Sequence, residues 1–444
     1  MHQCTVLVRT EHPALSPAHR RSSTAWQRNV YAVTAASFLG YTGFTLVMPF
    51  LPMFIAQLGV TDVRQIALWT GVSLGVTPGL TALLAPSWGR LGDRYGRKIM
   101  VERSMASFVI LMAAMAYVTR AWHVLALRAV QGLFAGYGSL SVAMAAESAP
   151  PDRMPSAIGL VQTAQRLGPA LGPVIGGVLA GLVGLRLAFV VTALFYGLGL
   201  CVVWVMYDDR ATHAYADTES PANLENPEHA AARAGPTNLS TRVTFRNVLA
   251  FQNFVLMMGV IFGLQFVDRS FGPVLPLYVE QIGVAHARVP IVAGVLFSIM
   301  ACTGALGHHF CGRLLKHFSL RIVIAAGAGV AAAGCGVFGA SGRVWAMCAA
   351  STLIGLGIGA AMTASYSAAG SVIPPRAHGA GFGVLTSASL VGMASSPFVA
   401  GVLGGTSIRA VFFVNLFLMA MVSGVVKRTM VNGDKGSRQL PVDS

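Results

Sequence analysis

Charge is what this chain has least of. Only 11% of its 444 residues are Asp, Glu, Lys or Arg, while 55% are hydrophobic. A soluble domain carries about a quarter charged residues, so a water-soluble globular protein is excluded. Acids are scarcer still, 16 against 31 bases. Those bases stand singly or in short clusters between apolar runs, a pattern that marks membrane topology and argues against a nucleic-acid partner. Cysteine is sparse. Cys4, Cys201, Cys302, Cys311, Cys335 and Cys348 show no spacing of a metal centre or a disulfide framework, so small packing residues are expected. His308, His309 and Cys311 also lack ligand spacing and read as interfacial residues at a helix end, so no metal is expected. There is no nucleophile elbow, phosphate-binding glycine loop or metal-ligand set, which speaks against an enzyme and against ATP as the energy source. No cofactor is expected, and an ion gradient is left to supply the work. The amino-terminal stretch holds no apolar segment ahead of a cleavage site, so no signal peptide is expected.

What the chain does have is apolar runs. They fall at 29–58, 66–88, 99–119, 122–146, 156–183 and 186–206, then at 247–282, 288–311, 321–341, 344–366, 378–405 and 407–427. Each is long enough for a spanning helix, which needs ~20 residues. The expected fold is therefore an all-α integral membrane protein of twelve transmembrane helices. Its expected parts are a tail at 1–28, a six-helix bundle at 29–206, a polar linker at 207–246, a second bundle at 247–427 and a tail at 428–444. With the amino terminus inside, cytoplasmic segments hold 22 of the 31 bases, and each outer loop holds one. Basic segments stay on the cytoplasmic side, so both termini are expected there, in the plasma (inner) membrane. The six tryptophans lie near helix ends, as an interfacial aromatic belt requires. Asn238-Leu-Ser240 has a glycosylation spacing that a cytoplasmic linker cannot use.

The two halves repeat. Met48-Pro-Phe-Leu-Pro at the head of Met48–Val60 matches Gly272-Pro-Val-Leu-Pro at the head of Gly272–Val284, at an offset of 224. Gly89-Arg-Leu91 matches Gly312-Arg-Leu314 at 223, and Pro150-Pro151 matches Pro374-Pro375 at 224. A constant offset means a duplicated six-helix unit, a construction of secondary transporters that place the solute between the halves near midplane.

Three motifs carry chemistry. Gly89, Asp93, Arg94, Gly96, Arg97 and Lys98 form a short charged turn between the second and third runs. Arg128-Ala-Val-Gln-Gly132, followed by Gly136, lies in the fourth. Gly159, Gly168, Gly172, Pro173, Gly176 and Gly177 mark the fifth, with three glycines at four-residue spacing that let another helix approach closely. Gly71, Gly75 and Gly79 form a matching stripe in the second run. With these motifs the sequence resembles the major facilitator superfamily, in its twelve-helix drug:proton antiporter branch, over residues 29–427. The resemblance implies alternating access by two rocking bundles. It also implies a latch at Asp93, with Arg94 and Arg97 structuring the turn. The second-half copy of the loop has Lys316 in place of the acid, so the latch is expected on one side only.

Charges at membrane depth cost at least ~2.5 kcal/mol each and are functional suspects. Arg128 suggests a structural or proton-relay role, against simple snorkelling to the outer surface. Asp268 and Arg269 lie well inside the seventh run. Neighbours in sequence do not share a helix face, so each is expected to need its own partner. Asp268 is nominated as proton carrier or cation-binding group, against a static ion pair; no acid stands between Glu11 and Asp62 in the first run. Gln162, Gln165, Arg166 and Gln265 either line an aqueous cavity or bond between helices. Tyr41 and Phe44 are candidates to stack on the solute. The expected function is proton-coupled export of small amphipathic compounds by a protein working as a monomer. The alternatives are a proton-coupled carrier of a specific metabolite, its anionic form kept open by Arg128, Arg166 and Arg269, and a transporter-derived receptor or scaffold.

Overall fold

The structure is a computed structural model that describes residues 17–150, 153–208, 253–372 and 378–430. The described residues are helical throughout, with no strand among them. In chain order the helices are α1 (Pro17–Leu46), α2 (Leu51–Gln57), α3 (Val63–Tyr95), α4 (Arg97–Met115), α5 (Ala121–Phe134), α6 (Tyr137–Ser148), α7 (Met154–Val183) and α8 (Leu185–Met206). The second half follows as α9 (Phe254–Gln281), α10 (Val289–His317), α11 (Leu320–Ala340), α12 (Val344–Val372), α13 (His378–Gly404) and α14 (Ile408–Thr429). Ten spans are long and apolar enough to cross a bilayer, counting Ala121–Ser148 as one, and α1 with α2 makes an eleventh bent by 49°. The twelfth run is α4, whose 19 residues begin with Arg97, Lys98, Glu102 and Arg103. At 1.5 Å per residue it reaches about 28 Å, close to the hydrocarbon thickness. It packs along α8 and against α5 and α6.

Three details depart from the sequence reading. Helix α1 starts at Pro17, inside the stretch read as a tail. The run 29–58 breaks at Val47–Phe50, where Pro49 has no backbone N–H to continue the ladder and the bonds tighten to Met48 N–Thr45 O, 3.1 Å, and Phe50 N–Val47 O, 3.3 Å. The matching Pro273 and Pro276 lie within an unbroken α9.

The run 122–146 also breaks, between α5 and α6. Gly136 has φ +127°, a conformation open to glycine and strained for any L side chain. The break orphans carbonyls at the end of α5, and side chains supply donors. Ser104 Oγ and Arg103 Nη2 (3.2 Å) donate to Phe134 O, and Thr81 Oγ1 donates to Gly132 O at 3.5 Å. Arg103 is held flat over Trp88, 3.5 Å from the ring centre. Gly136→Ala should therefore destabilise the fold by about 1–2 kcal/mol, read as a lower thermal midpoint of the purified protein.

Contacts between residues before 209 and those after 252 run mainly along two seams, α3 with α13 and α7 with α10. Both are backbone-to-backbone, because glycine removes the Cβ that would hold the helices apart. Gly71 lies against the Pro397 carbonyl and Gly75 against the Ala394 carbonyl; Gly401 lies 2.5 Å (as a built Cβ) from the Ala67 carbonyl. On the other seam Gly177 lies against the Pro290 carbonyl and Gly294 against the Pro173 carbonyl. The seams are copies of each other: Gly71 facing Pro397 corresponds to Gly294 facing Pro173, at the offsets of 223 and 224 found in the sequence. Both run from mid-helix to the end where α3 begins and α7 finishes. Towards the opposite end the side chains of α7 from Gln162 to Leu167, and of α10 beyond Leu306, are mostly exposed.

Candidate substrate cavity

Beside the α3–α13 seam lies a small cavity of about 30 Å³, bounded by Phe44, Met48, Leu74, Pro78 and Arg128 from the first half and Arg269, Met393 and Pro397 from the second. Its walls are apolar apart from two guanidinium groups. Helix α5 carries Arg128 inward, 2% exposed, rather than letting it snorkel. Its Nη1 donates to Gln131 Oε1 at 3.1 Å, from a residue one turn along the same face. Its Nε and Nη2 have no hydrogen-bond partner among the described residues. Tyr196, buried with an unpartnered hydroxyl, is close enough to interact electrostatically.

Arg269 does not find a separate partner. Its Nε lies 3.2 Å from Asp268 Oδ2, with both side chains about a quarter to a third exposed. The face argument concerns Cβ directions; the long arginine stem bends back to the adjacent carboxylate, so the charges pair while Arg269 Nε makes no hydrogen bond among the described residues. Asp268 is thus an ion-paired acid at the edge of the cavity. Phe44 lines the wall, whereas Tyr41 packs against Tyr137 with ring centres 5.5 Å apart and interacts electrostatically with Arg269.

The glutamines divide. Gln165 Nε2 donates to the Gly138 carbonyl at 2.9 Å, tying α7 to α6. Gln265 Nε2 donates to Ser389 Oγ at 2.9 Å, tying α9 to α13. Gln162 is exposed on the same stretch of α7 as Arg166. Arg166 in turn interacts electrostatically with His308 and Tyr366 across the gap between the halves. His308 is half-buried, and its Nδ1 and Thr363 Oγ1 share a hydrogen bond of 2.7 Å. No cluster of three or more metal-ligating side chains occurs among the described residues.

The α7 motif does two jobs on two faces. Gly168, Gly172 and Gly176 pack against α1, with Gly168 2.7 Å from the Thr42 nitrogen and Gly172 2.6 Å from the Thr42 carbonyl as built Cβ positions. That seam lies within the first half. The joining residues are Gly177 and the Pro173 carbonyl, one position round the helix. Gly159 meets nothing within 4 Å. In the charged turn, Gly89 and Asp93 lie outside the residues whose side chains are described. Gly96 has φ +92°, Arg97 Nη1 pairs with Glu147 Oε1 at 3.0 Å, and Lys98 Nζ donates to Tyr207 O at 2.8 Å. Arg94 lies over the neighbouring Tyr95 ring, 5.3 Å from its centre. The turn is thereby stapled to α6 and the end of α8.

Sequence reasoning missed Met48, Leu74, Pro78 and Met393 as wall residues. Leu74 and Pro78 each sit one position before a seam glycine, Gly75 and Gly79, and that register could have found them.

An all-helical membrane protein with a small, mostly apolar cavity between two seamed halves has the architecture of a solute transporter. The family model of the Major Facilitator Superfamily matches residues 33–318 and 266–438, and the chain belongs to that family as a transporter, not an enzyme. It is 31% identical over 300 residues to "Multidrug resistance protein MdtG" of Escherichia coli O6:K15:H31, covering 68% of this chain and 69% of that one. It is 26% identical over 308 residues to "Multi-drug resistance efflux pump PmrA homolog" of Lactococcus lactis, covering 69% and 71%. Among solved structures, a bacterial homologue of the human lysosomal transporter Spinster, inward-facing and occupied, superposes with a TM-score of 0.69 at 15% identity over 92% of this chain and 97% of that one. The human organic anion transporter MFSD10 gives 0.61 at 18% identity, covering 90% and 99%. At these identities the two structures speak for the fold alone.

Proposed function

We propose that this chain is a secondary transporter that exports small amphipathic compounds from the cell by alternating access, driven by the proton gradient. The observation that carries the reading is the cavity itself: apolar, walled by both halves, and bordered by seams that close towards one end. Residues 29–206 and 247–427 are the two rocking bodies, 207–246 their cytoplasmic linker, and the tails 1–28 and 428–444 lie in the cytoplasm. With that orientation the seams close the outer end, so the cavity faces inward. The relatives named for multidrug resistance and efflux support the direction. Asp268 carries the proton: protonation removes the charge that holds Arg269 and changes the cavity from one net positive charge to two. Arg128 holds the electrostatics of the opposite wall. Tyr41, Phe44 and Gln162 meet the solute or its water, with Gln165 and Gln265 fixing the helices that carry them. Gly168, Gly172, Pro173, Gly176 and Gly177 form the hinge-and-seam surfaces of α7, and Gly159 belongs to neither seam. No cofactor beyond the proton gradient is needed, and one chain holds the whole cavity, so the monomer suffices.

The direct test is retention of fluorescent amphiphiles in cells expressing the chain, with and without an uncoupler. Uncoupler-sensitive export is the expected result; unchanged retention of every compound would sink the reading. Asp93 is assigned the cytoplasmic latch, with Arg94 and Arg97 shaping the turn. Asp93→Asn should slow export about five- to tenfold, on the order of 1 kcal/mol, at unchanged expression. Wild-type turnover in that variant would remove the latch. One observation favours a second reading, a carrier of an anionic metabolite: the cavity holds two guanidinium groups and a single neighbouring carboxylate.

A further inference from the structure

We propose that the cavity is an anion-recognition site, in which the Nε–Nη2 edge of Arg128 grips the carboxylate, phosphonate or sulfonate group of an amphipathic solute whose apolar body rests on Phe44, Met48, Leu74 and Met393. This rests on the transporter reading above and adds the chemical class of the solute. Arg128 is 2% exposed and lines the cavity. Gln131 takes only its Nη1, leaving Nε and Nη2 without an acceptor among the described residues. Those two N–H groups lie side by side on one edge of the planar guanidinium. Their spacing matches two oxygens of a carboxylate or phosphonate, which a single-point acceptor does not. A buried charge lacking a counter-ion is strongly unfavourable, so this donor pair gains far more from an anion than from a neutral group.

The surrounding charge points the same way. Arg269 is on the cavity wall with its charge matched by Asp268, and Arg166 stands towards the exposed end beside His308 and Tyr366. Among the described residues, the cavity wall carries Arg128 and Arg269, with Asp268 beside Arg269 as the neighbouring acid. A cationic amphiphile would meet like charge along its path, and an anion opposite charge. The Tyr196 hydroxyl, which interacts electrostatically with Arg128, offers one oxygen rather than two. The solute's anion and the proton are then held by different side chains, Arg128 and Asp268.

The test uses the purified full-length chain and three probes of matched shape: naphthylacetate, naphthylacetamide and naphthylethylamine. Equilibrium binding should favour naphthylacetate at least tenfold over the other two. Arg128→Lys keeps the charge but loses the parallel donors, and should reduce that preference at least tenfold. Arg128→Gln should abolish it, and Tyr196→Phe should leave it in place. Equal or tighter binding of the amine, no binding of any probe by the wild type, or an undiminished preference in Arg128→Lys would each overturn the proposal. Where the variants do not fold, the three-probe comparison on the wild type decides. Binding needs no transport, so the two readings fail separately: vesicles that export the amine and not the carboxylate refute the anion site alone. Protein that prefers naphthylacetate at equilibrium yet moves no solute upholds the anion site and refutes the transport reading.

Discussion

Gly177→Leu should abolish export while leaving a folded, monodisperse protein. The Cβ of any residue at this position meets the Pro290 carbonyl and lies 3.1 Å from the Ile291 Cα, so α10 must retreat. These are backbone atoms that cannot rotate aside. Overpacking of this kind costs up to roughly 3 kcal/mol, enough to cut the population closed at that end by about a hundredfold. Each half keeps its own packing, so the loss falls on the cycle and not on folding. Gly401→Leu, on the copied seam and facing Ala67, should behave alike. Gly159→Leu, with nothing within 4 Å, should transport normally. The measurement is export of a fluorescent amphiphile together with labelling of Gln162→Cys by an impermeant thiol reagent from the cytoplasmic face. Normal export by Gly177→Leu would show that these helices need not approach.

Asp268→Asn should uncouple. Asparagine keeps the shape and an acceptor for Arg269 but cannot bind and release a proton in this range. One pH unit drives a tenfold solute gradient in a one-for-one exchange, about 1.4 kcal/mol. The variant should lose that accumulation and retain downhill exchange of the same compound. Accumulation at the wild-type level would move the proton to another group. Loss of both accumulation and exchange would indicate a structural ion pair.

Much of the architecture was legible because bilayer physics is coarse. A run of ~20 apolar residues must form a helix. The offset of 223 to 224 reappears in three dimensions: Gly172 beside the Thr42 carbonyl corresponds to Ser396, whose hydroxyl donates to the Phe266 carbonyl. What periodicity does not fix is which neighbour a glycine meets. Gly176 faces α1 and Gly177 faces α10, and about 100° of helix rotation separates a seam within one half from a seam between halves. Long side chains escape the same rules. Arg269 folded back onto Asp268, and His308 reached Thr363 from a position that reads as a helix end. The break at Gly136 was hidden because the residues around it stay apolar; only the φ of one glycine reveals it.

The central claim is that a proton gradient drives solute movement through this cavity. The most direct measurement is solute uptake into proteoliposomes holding the purified chain, prepared with an acidic lumen, with the naphthyl probes and fluorescent amphiphiles as solutes. Outward proton flow should draw solute into the lumen above its external concentration, and an uncoupler should collapse the accumulation. Uptake that ignores the gradient, or that needs the acid on the outside, would contradict the account.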